Sequence, residues 1–342
     1  MAYRQSISES LPRRMAADAL PLLKDCGHRC VVVAFSGGPD SMALLHLLTQ
    51  CADRLRQSHS MTVDIIAAHC NFHLRGEESM RDESFCRDVC ARMQVRLLTI
   101  DFDTLKYCEE QKLSIETGAR RLRHEWFAQI CRSHDALLAT GHNADDNAET
   151  LLLNLMRGAG CRGLKAMSSR DRNILRPLIH FSRKEILQYL DLNGLEYVTD
   201  STNLSTDYRR NFLRHEVLPL LRSRWAGADK AISRTLRCLA DDNAIIEQAI
   251  ADALGDDHMS LPIENILRFA SPTLLILRFT EPYGGTPEIA AEIAASICTK
   301  KRNIGASWLL PRPSASGSIY RIKAENKVLR IFPAISSTFV GH

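Results

Sequence analysis

The stretch Val31-Val32-Val33-Ala34-Phe35-Ser36-Gly37-Gly38-Pro39-Asp40-Ser41, running into Met42-Ala43-Leu44-Leu45-His46-Leu47-Leu48, decides the fold. A short β-branched apolar run reads as a strand buried on both faces, and the spacing after the glycines reads as a helix. Two adjacent glycines let the backbone approach a ligand closely. The helix N-terminus behind them supplies unpaired N–H groups for an anion, and Ser36 and Ser41 add hydroxyls. The composite is a phosphate or pyrophosphate cradle. It is not a Walker loop, because the Gly-x-x-x-x-Gly-Lys-Ser/Thr spacing is absent, and it lacks the Gly-x-Gly-x-x-Gly of a dinucleotide fold.

Outward from this loop, apolar runs recur at Val63–His69, Val95–Asp101 and Ala136–Thr140, with helical spacing over 41–56, 79–93 and 116–132. Strand–helix alternation of this kind predicts an α/β fold with a doubly wound parallel sheet. In such sheets ligands sit beyond the carboxyl ends of the strands. After about residue 216 the texture changes. Segment 229–254 is helical, Leu261–Arg278 is a helical stretch broken by Pro272, and short strands follow at Ser307–Pro313, Ser318–Ile322 and Lys327–Phe332. The expected organisation is a nucleotide-binding catalytic domain over 1–218 and a smaller helical or α+β C-terminal domain over 230–333.

At 342 residues the chain is long for one domain, and 45% hydrophobic with 25% charged residues supports ample core. A net charge of +4 is too small to argue for nucleic acid by itself. Eleven cysteines are scattered at 26, 30, 51, 70, 86, 90, 108, 131, 161, 238 and 298, without a Cys-x-x-Cys. An odd number with no secretory segment predicts free thiols in a reducing cytoplasm. Residues 1–20 carry charges throughout, and no window has the length of a membrane span, so no membrane partner is expected. A monomer and a homodimer are both compatible with the sequence.

Polar clusters fall at the predicted carboxyl ends of the strands. After the second strand, His69-Cys70-Asn71-Phe72-His73-Leu74-Arg75 forms a loop suited to contacts with adenosine or its phosphates. The spacing of His69 and His73 suggests zinc, but no acid follows His69 and the segment is not helical, so metal ligation is the weaker reading. A helix capped by Ser114 or Thr117 puts Glu116, Arg120 and Arg123 on one face. A solvated ion-pair face is the plain alternative there to a guanidinium on phosphate.

The densest cluster is Thr140-Gly141-His142-Asn143-Ala144-Asp145-Asp146-Asn147-Ala148-Glu149. Asp145 and Glu149 lie one turn apart, with Asp146 beside them. Acids at a helix start also serve as caps and dipole partners. Three acids and a histidine beside a phosphate nest favour holding Mg²⁺ on a triphosphate or positioning an amine. Finally, the segment 200–215, with Arg209, Arg210 and Arg214, reads as a basic surface for phosphates and splayed bases, or else as a polar loop capping a helix. Lys300-Lys301-Arg302 is a basic group equally at home on a nucleic-acid backbone or in solvent.

Taken together, the Ser36–Ser41 loop, His69-x-Asn71-x-His73-x-Arg75, Glu116-x-x-Ala119-Arg120-x-x-Arg123, Gly141-His142-Asn143-x-Asp145-Asp146-x-x-Glu149-Thr150, Asp200-Ser201-x-Asn203 and Arg209-x-Asn211-x-x-Arg214 resemble the tRNA(Ile)-lysidine synthase family of PP-loop ATP pyrophosphatases. The resemblance spans roughly 30–220. More weakly, Leu309-Leu310-Pro311, Ile319-Tyr320 and Val328-Leu329 are similar to that family's first C-terminal domain, and the chain looks too short for the further domain of some members.

This resemblance implies ATP- and Mg²⁺-dependent ligation of free L-lysine to C2 of the wobble cytidine in the CAU anticodon of tRNA(Ile), through an adenylated cytidine. The product, lysidine, pairs with adenine, and the tRNA is charged with isoleucine instead of methionine. It implies catalytic roles for Asp145, Glu149, Arg120 and His142, with Asp145 taking the amine proton. It places the nucleotide on Ser36, Gly37, Gly38, Pro39, Asp40, Ser41, His69 and Gly141, Mg²⁺ on Asp40 and Asp146, and RNA on Arg75, Arg123, Arg209, Arg210 and Arg214. The rival within the superfamily is a tRNA thiolase. Absence of Cys-x-x-Cys argues against its iron–sulfur branch, while Cys70 and Cys161 keep a sulfur role open. A nucleotide-sensing or RNA-binding protein without chemistry is a third reading, disfavoured by the intact acidic cluster.

Overall fold

A computed structural model describes residues 2–25, 27, 30–59, 61–199, 209–299, 305–311, 314, 317–325 and 327–334. The chain divides into two compact units, Met1–Ala240 and Asp241–His342.

The first unit opens with helix α1 (Ala2–Lys24), followed by β1 (Cys30–Ala34), α2 (Pro39–His59), β2 (Asp64–Asn71), α3 (Glu77–Arg92) and β3 (Arg96–Asp101). It continues through α4 (Thr104–Gln111), α5 (Ile115–Ser133), β4 (Ala136–Ala139), α6 (Ala144–Met156) and the single turn α7 (Cys161–Leu164). The hairpin β5 (Arg170–Asp171) and β6 (Ile174–Leu175) precedes α8 (Arg183–Leu192), α9 (Arg209–Phe212), a π-helical turn (Leu213–Val217) and α10 (Leu218–Arg224). The sheet order is β3-β2-β1-β4-β6-β5, with β1, β2, β3, β4 and β6 parallel and β5 antiparallel at the edge.

The parallel order follows from β1, whose residues are buried on both faces. Val31 and Val33 pack with Met15 and Leu23 of α1, Leu45 of α2 and Tyr189 of α8. Val32 and Cys30 point the other way, onto Phe127 and Ile130 of α5. This alternation is the period-2 geometry of a strand covered on both sides. The pairing registers Val31↔Ile65 and Val31↔Leu137 bring the ends of β2 and β4 level with the Ser-Gly-Gly turn. The site is therefore built where the expected polar clusters converge.

The expected doubly wound sheet is present, with strand bounds within two residues of those read from the sequence. The β5–β6 hairpin and α1 lie outside that reading. The long helix α11 (Ala228–Leu254) contains the boundary between the units.

The second unit holds a four-stranded antiparallel sheet ordered β7 (Ser260–Pro262), β10 (Val328–Pro333), β9 (Tyr320–Glu325) and β8 (Ser307–Leu309). Helices α12 (Ile263–Arg268), α13 (Pro272–Thr280) and α14 (Pro287–Cys298) complete it. Pro272 stands at the first turn of α13, where its missing N–H costs nothing, and so divides the two helices. Ile266, Leu275, Ile276, Ile293, Ile322 and Leu329 form its fully buried centre. Among the described residues no helix is long and apolar enough to cross a membrane.

Candidate active site

The loop after β1 is shaped by its own hydroxyls. Ser41 Oγ donates to the Gly38 carbonyl at 2.9 Å and accepts from the Ser36 N–H at 3.2 Å, while the Gly38 N–H donates to Ser36 Oγ at 3.4 Å. Gly37 sits at φ +78°, a left-handed conformation that glycine adopts without steric cost. A Cβ there would lie 2.9 Å from Val198 Cγ2 and 3.1 Å from Cys86 Sγ. Gly141 approaches from the end of β4, and a Cβ on it would meet the Asp40 backbone at 3.1 Å. The result is a turn of backbone amides at the N-terminus of α2, pressed against neighbouring loops, with Ser36 exposed and Ser41 buried.

Beneath the loop lies His69, 5% exposed, whose Nδ1 hydrogen bonds the Phe35 carbonyl at 3.0 Å and lies 3.4 Å from Cys86 Sγ. Burial pushes its imidazole below 6.5. His69 thus braces the end of β1 from inside. Pro39 opens α2 in a buried position.

The second half of the site grows from α6. Asn143 caps this helix in a reciprocal box: its Oδ1 accepts from the Asp146 N–H at 3.1 Å, and Asp146 Oδ2 accepts from the Asn143 N–H at 3.0 Å. Asn143 Nδ2 also donates to Asp40 Oδ1 at 3.0 Å, which ties the cap to the phosphate loop. Three residues on, Glu149 has no exposed surface. It accepts from Arg210 Nε at 2.6 Å and from Arg214 Nε at 2.6 Å, and Asp146 Oδ1 accepts from both guanidinium groups at 3.0 and 3.1 Å. Arg214 stands in the π-helical turn, a rare conformation that recurs at functional sites.

The structure divides the acidic trio. Asp146 and Glu149, three apart, share the two arginines. Asp145 instead accepts from the Arg183 N–H at 3.2 Å and from Arg222 Nη2 at 2.8 Å, and Arg222 also holds Asp229 at 2.9 Å. Arg183 reaches back through its guanidinium to Asp40. Burial raises the Asp40 carboxyl above its ordinary range, Arg183 opposes this, and Asp146 adds to the rise. Every oxygen of Asp40 and Asp146 is engaged by an arginine or by Asn143. Among the described residues no group of three His, Cys, Asp or Glu side chains is arranged to hold a metal. To reach a Mg²⁺ carried on a nucleotide, Asp40 and Asp146 would each have to give up one of these partners.

His142 stands between the halves, with Nδ1 hydrogen bonded to Thr140 Oγ1 at 2.8 Å. Burial lowers its imidazole; Asp146 opposes, while Arg176, Arg210 and Arg123 reinforce the fall. It is a neutral group in a ring of cations.

Arg120 lies exposed near the N-terminus of α5, and Glu116 on the same helix is exposed as well. Ser114 caps that helix, as expected, by accepting from the Thr117 N–H at 3.3 Å. Arg75 is paired with the buried Asp82 at 3.0 Å, so it braces α3. Arg209 is exposed, whereas Arg210 and Arg214 are turned onto the acids. The Asp200-Ser201-x-Asn203 motif and Lys300-Lys301-Arg302 lie outside the described residues.

Three residues escaped the sequence reading: Arg183, Arg222 and Arg176. Arg176, directly after β6, is 8% exposed, and its buried Nε has no hydrogen-bond partner among the described residues. With the two-residue strand β6 itself unread, nothing local set Arg176 apart from Arg170 and Arg172 just before it.

Residues 12–221 match the PP-loop domain, so the chain belongs to the PP-loop family. Among curated proteins it is similar to the tRNA(Ile)-lysidine synthase of Parabacteroides distasonis, at 40% identity over 275 residues, covering 79% of this chain and 60% of that protein. The namesake from Porphyromonas gingivalis W83 is 38% identical over 312 residues, 90% of this chain and 64% of its own length. That of Chlorobaculum tepidum is 45% identical over 197 residues, covering 57% of this chain and 58% of that protein. The chain spans about three fifths of the length of the curated relatives it matches. Among solved structures, the U34-tRNA thiolase NcsA of Methanococcus maripaludis shares the fold, with a TM-score of 0.54 at 19% identity over 68% of this chain and 80% of that one.

Proposed function

We propose that this protein uses ATP to ligate free lysine to C2 of the wobble cytidine of a CAU-anticodon tRNA(Ile), working in the cytoplasm. The observation that carries the reading is the meeting of a phosphate nest with a fully buried acid beyond the carboxyl ends of the central strands β1 and β4, in a chain whose relatives bear that name.

Two half-reactions follow from the chemistry. Cytidine O2 is a poor leaving group, so O2 first attacks the α phosphorus of ATP, and the α–β anhydride bond breaks to release pyrophosphate. The amides of Ser36–Ser41 and the exposed Arg120 supply positive potential for the charge that accumulates on the leaving group. The lysine ε-amine then attacks C2, and AMP departs with the O2 oxygen. A free ε-amine has a pKa of about 10.4, so it arrives protonated and must lose a proton before attack.

Asp146 and Glu149 suit the task of orienting that ammonium and accepting its proton. Their present partners, Arg210 and Arg214, are cations already standing where the ammonium would stand, and both can turn to phosphates. His142, held neutral beside them, is available to accept or relay a proton. Asp145 serves in this scheme as a brace that positions Arg183 and Arg222. The target cytosine leaves the anticodon loop stack, which single-stranded loops permit at low cost. Arg123 and Arg209 are the arginines best disposed for RNA.

A thiolase would need a reactive thiol near the nucleotide. Burial pushes the Cys70 thiol up to about 12, so at neutral pH it stays protonated and is a poor nucleophile.

The test is incorporation of labelled lysine into unmodified tRNA(Ile) with ATP and Mg²⁺. Label that requires the Ser36–Ser41 loop and disappears with a wobble uridine supports the reading. Sulfur incorporation, or AMP release without lysine transfer, overturns it.

A further inference from the structure

Beside the phosphate loop, one strand further out, lies a surface cavity of about 310 Å³ at the carboxyl ends of β2 and β3. Its walls are Phe72, Phe102 and Leu105, and its rim is the pair His73–Asp101. The two phenyl rings are stacked at 5.5 Å with an interplanar angle of 23°. Leu105 is 61% exposed, and Leu74 beside His73 is 39% exposed. None of these residues takes part in the chemistry assigned above.

The cavity is held open by a buried scaffold. His73 adopts a left-handed φ of 51°, uncommon for a residue with a side chain. Its N–H is fixed by Asn71 Oδ1 at 3.0 Å, and Asn71 in turn donates to Glu83 at 2.8 Å, which Arg87 grips at 2.6 Å. Thr104, 1% exposed, donates to the Phe72 carbonyl at 2.9 Å, and the Phe102 N–H donates to the Asn71 carbonyl at 2.9 Å. Phe72 and His73 are thereby pinned from two sides. His73 Nε2 shares a hydrogen bond of 2.7 Å with Asp101 Oδ1, and Oδ2 of Asp101 has no partner among the described residues.

We infer that this cavity binds an unpaired nucleobase of the RNA substrate, adjacent to the base that is modified. The inference rests on the RNA-modifying reading above. Aromatic walls suit the flat face of any base, and His73 with Asp101 offers a donor–acceptor edge matched to an exocyclic amine, as in adenine, cytosine or guanine. The carboxylates of Asp101 and Asp103 repel phosphate, so the rim selects a base edge over backbone. Neighbouring strands are about 4.8 Å apart, so the cavity stands roughly 5–10 Å sideways from the loop, near enough for the next nucleotides along the strand.

The test is titration of the full chain with a CAU anticodon stem-loop RNA, alongside KM for ATP in pyrophosphate release. Phe102→Ala and Asp101→Asn should each weaken RNA binding about tenfold, with KM for ATP and the salt slope of binding unchanged. Asp101 is exposed, so its variant tests the site without a folding defect, and thermal melting checks Phe102→Ala. The loss should vanish when the RNA carries an abasic residue at the base that the cavity holds.

Unchanged or tighter binding by Asp101→Asn, the result simple charge repulsion predicts, overturns the inference. So does a rise in KM for ATP with RNA binding intact, which would assign the cavity to the adenine of ATP. Lysine transfer by the wild-type chain reports separately. If transfer fails while the cavity-dependent RNA binding persists, the proposed reaction falls and the base site stands.

Discussion

The two halves of the site are built by opposite means. The Ser36–Ser41 loop gets its shape from contiguous residues, a left-handed glycine and backbone amides, and its hydroxyls bond within five positions of themselves. The acid–arginine cluster joins Asp146 and Glu149 to Arg210 and Arg214, more than sixty residues away, through full burial of one carboxylate. Geometry carries the first half, and charge carries the second. Changes in the loop should therefore harm both half-reactions, whereas changes in the cluster should harm the amine step alone.

The largest effect is expected at Glu149. Glu149→Gln keeps the volume but removes the charge that two arginines and, in the proposed reaction, the ammonium require. Lysine transfer should fall by about 10²–10³ while pyrophosphate release from ATP is largely retained. Equal loss of both steps would show that the cluster also supports the nucleotide, and the division would fail.

Next comes Gly37→Ala. A Cβ in the left-handed region costs about 1–2 kcal/mol, and its approach to Val198 and Cys86 adds to that. Stability by urea denaturation should drop by about 2–3 kcal/mol, and pyrophosphate release by on the order of 100-fold. Adding Val198→Ala removes the Cγ2 met at 2.9 Å and should restore part of the stability, though not the conformational part.

This contrast also explains what could be read in advance. The β1–loop–α2 unit is legible because each signal lies next to the one that gives it meaning. The strands that flank it are legible from apolar runs bounded by turns. Helix α1 is harder: Pro12 and Pro21 lie inside it, although Leu11, Met15, Ala19 and Leu23 recur every four residues on its buried face. Within the cluster, helical spacing allows Glu149 to pair with Asp145 at i−4 or Asp146 at i−3. Only the arrival of Arg210 and Arg214 on one side, and Arg222 on the other, decides between them. Such long-range partners leave no local mark.

A third expectation concerns pH. Burial lowers the imidazoles of His46, His69 and His142 below 6.5, so the folded unit refuses protons that the unfolded chain takes up. Stability contributed by these neutral rings is complete above pH 6.5 and falls as pH drops toward the folded values. The slope is at most about 1.4 kcal/mol per pH unit for each ring. His69→Asn, beneath the loop, should flatten the slope of urea-derived stability between pH 6.5 and 5. A slope that is unchanged would mean that His69 takes up its proton in the folded state as readily as in the unfolded one.

The smallest effect is expected at Asp145, and it sharpens the comparison most. Its side chain is 17% exposed and that of Arg222 31%, so their pair is partly screened. Asparagine keeps an acceptor for the Arg183 N–H and a weaker one for Arg222. Asp145→Asn should cost about 1 kcal/mol or less in stability and leave lysine transfer within about tenfold of wild type. Asp146→Asn, one residue on, removes an anion shared by two arginines and should cost about 100-fold in transfer. The adjacent pair controls for helix position, capping and local charge, since both stand in the first turn of α6. If Asp145→Asn proved the more damaging, the working carboxylate would be the one that faces Arg183 and Asp40. The amine step would then belong to the phosphate-loop side of the site, and the separation of geometry from charge would dissolve.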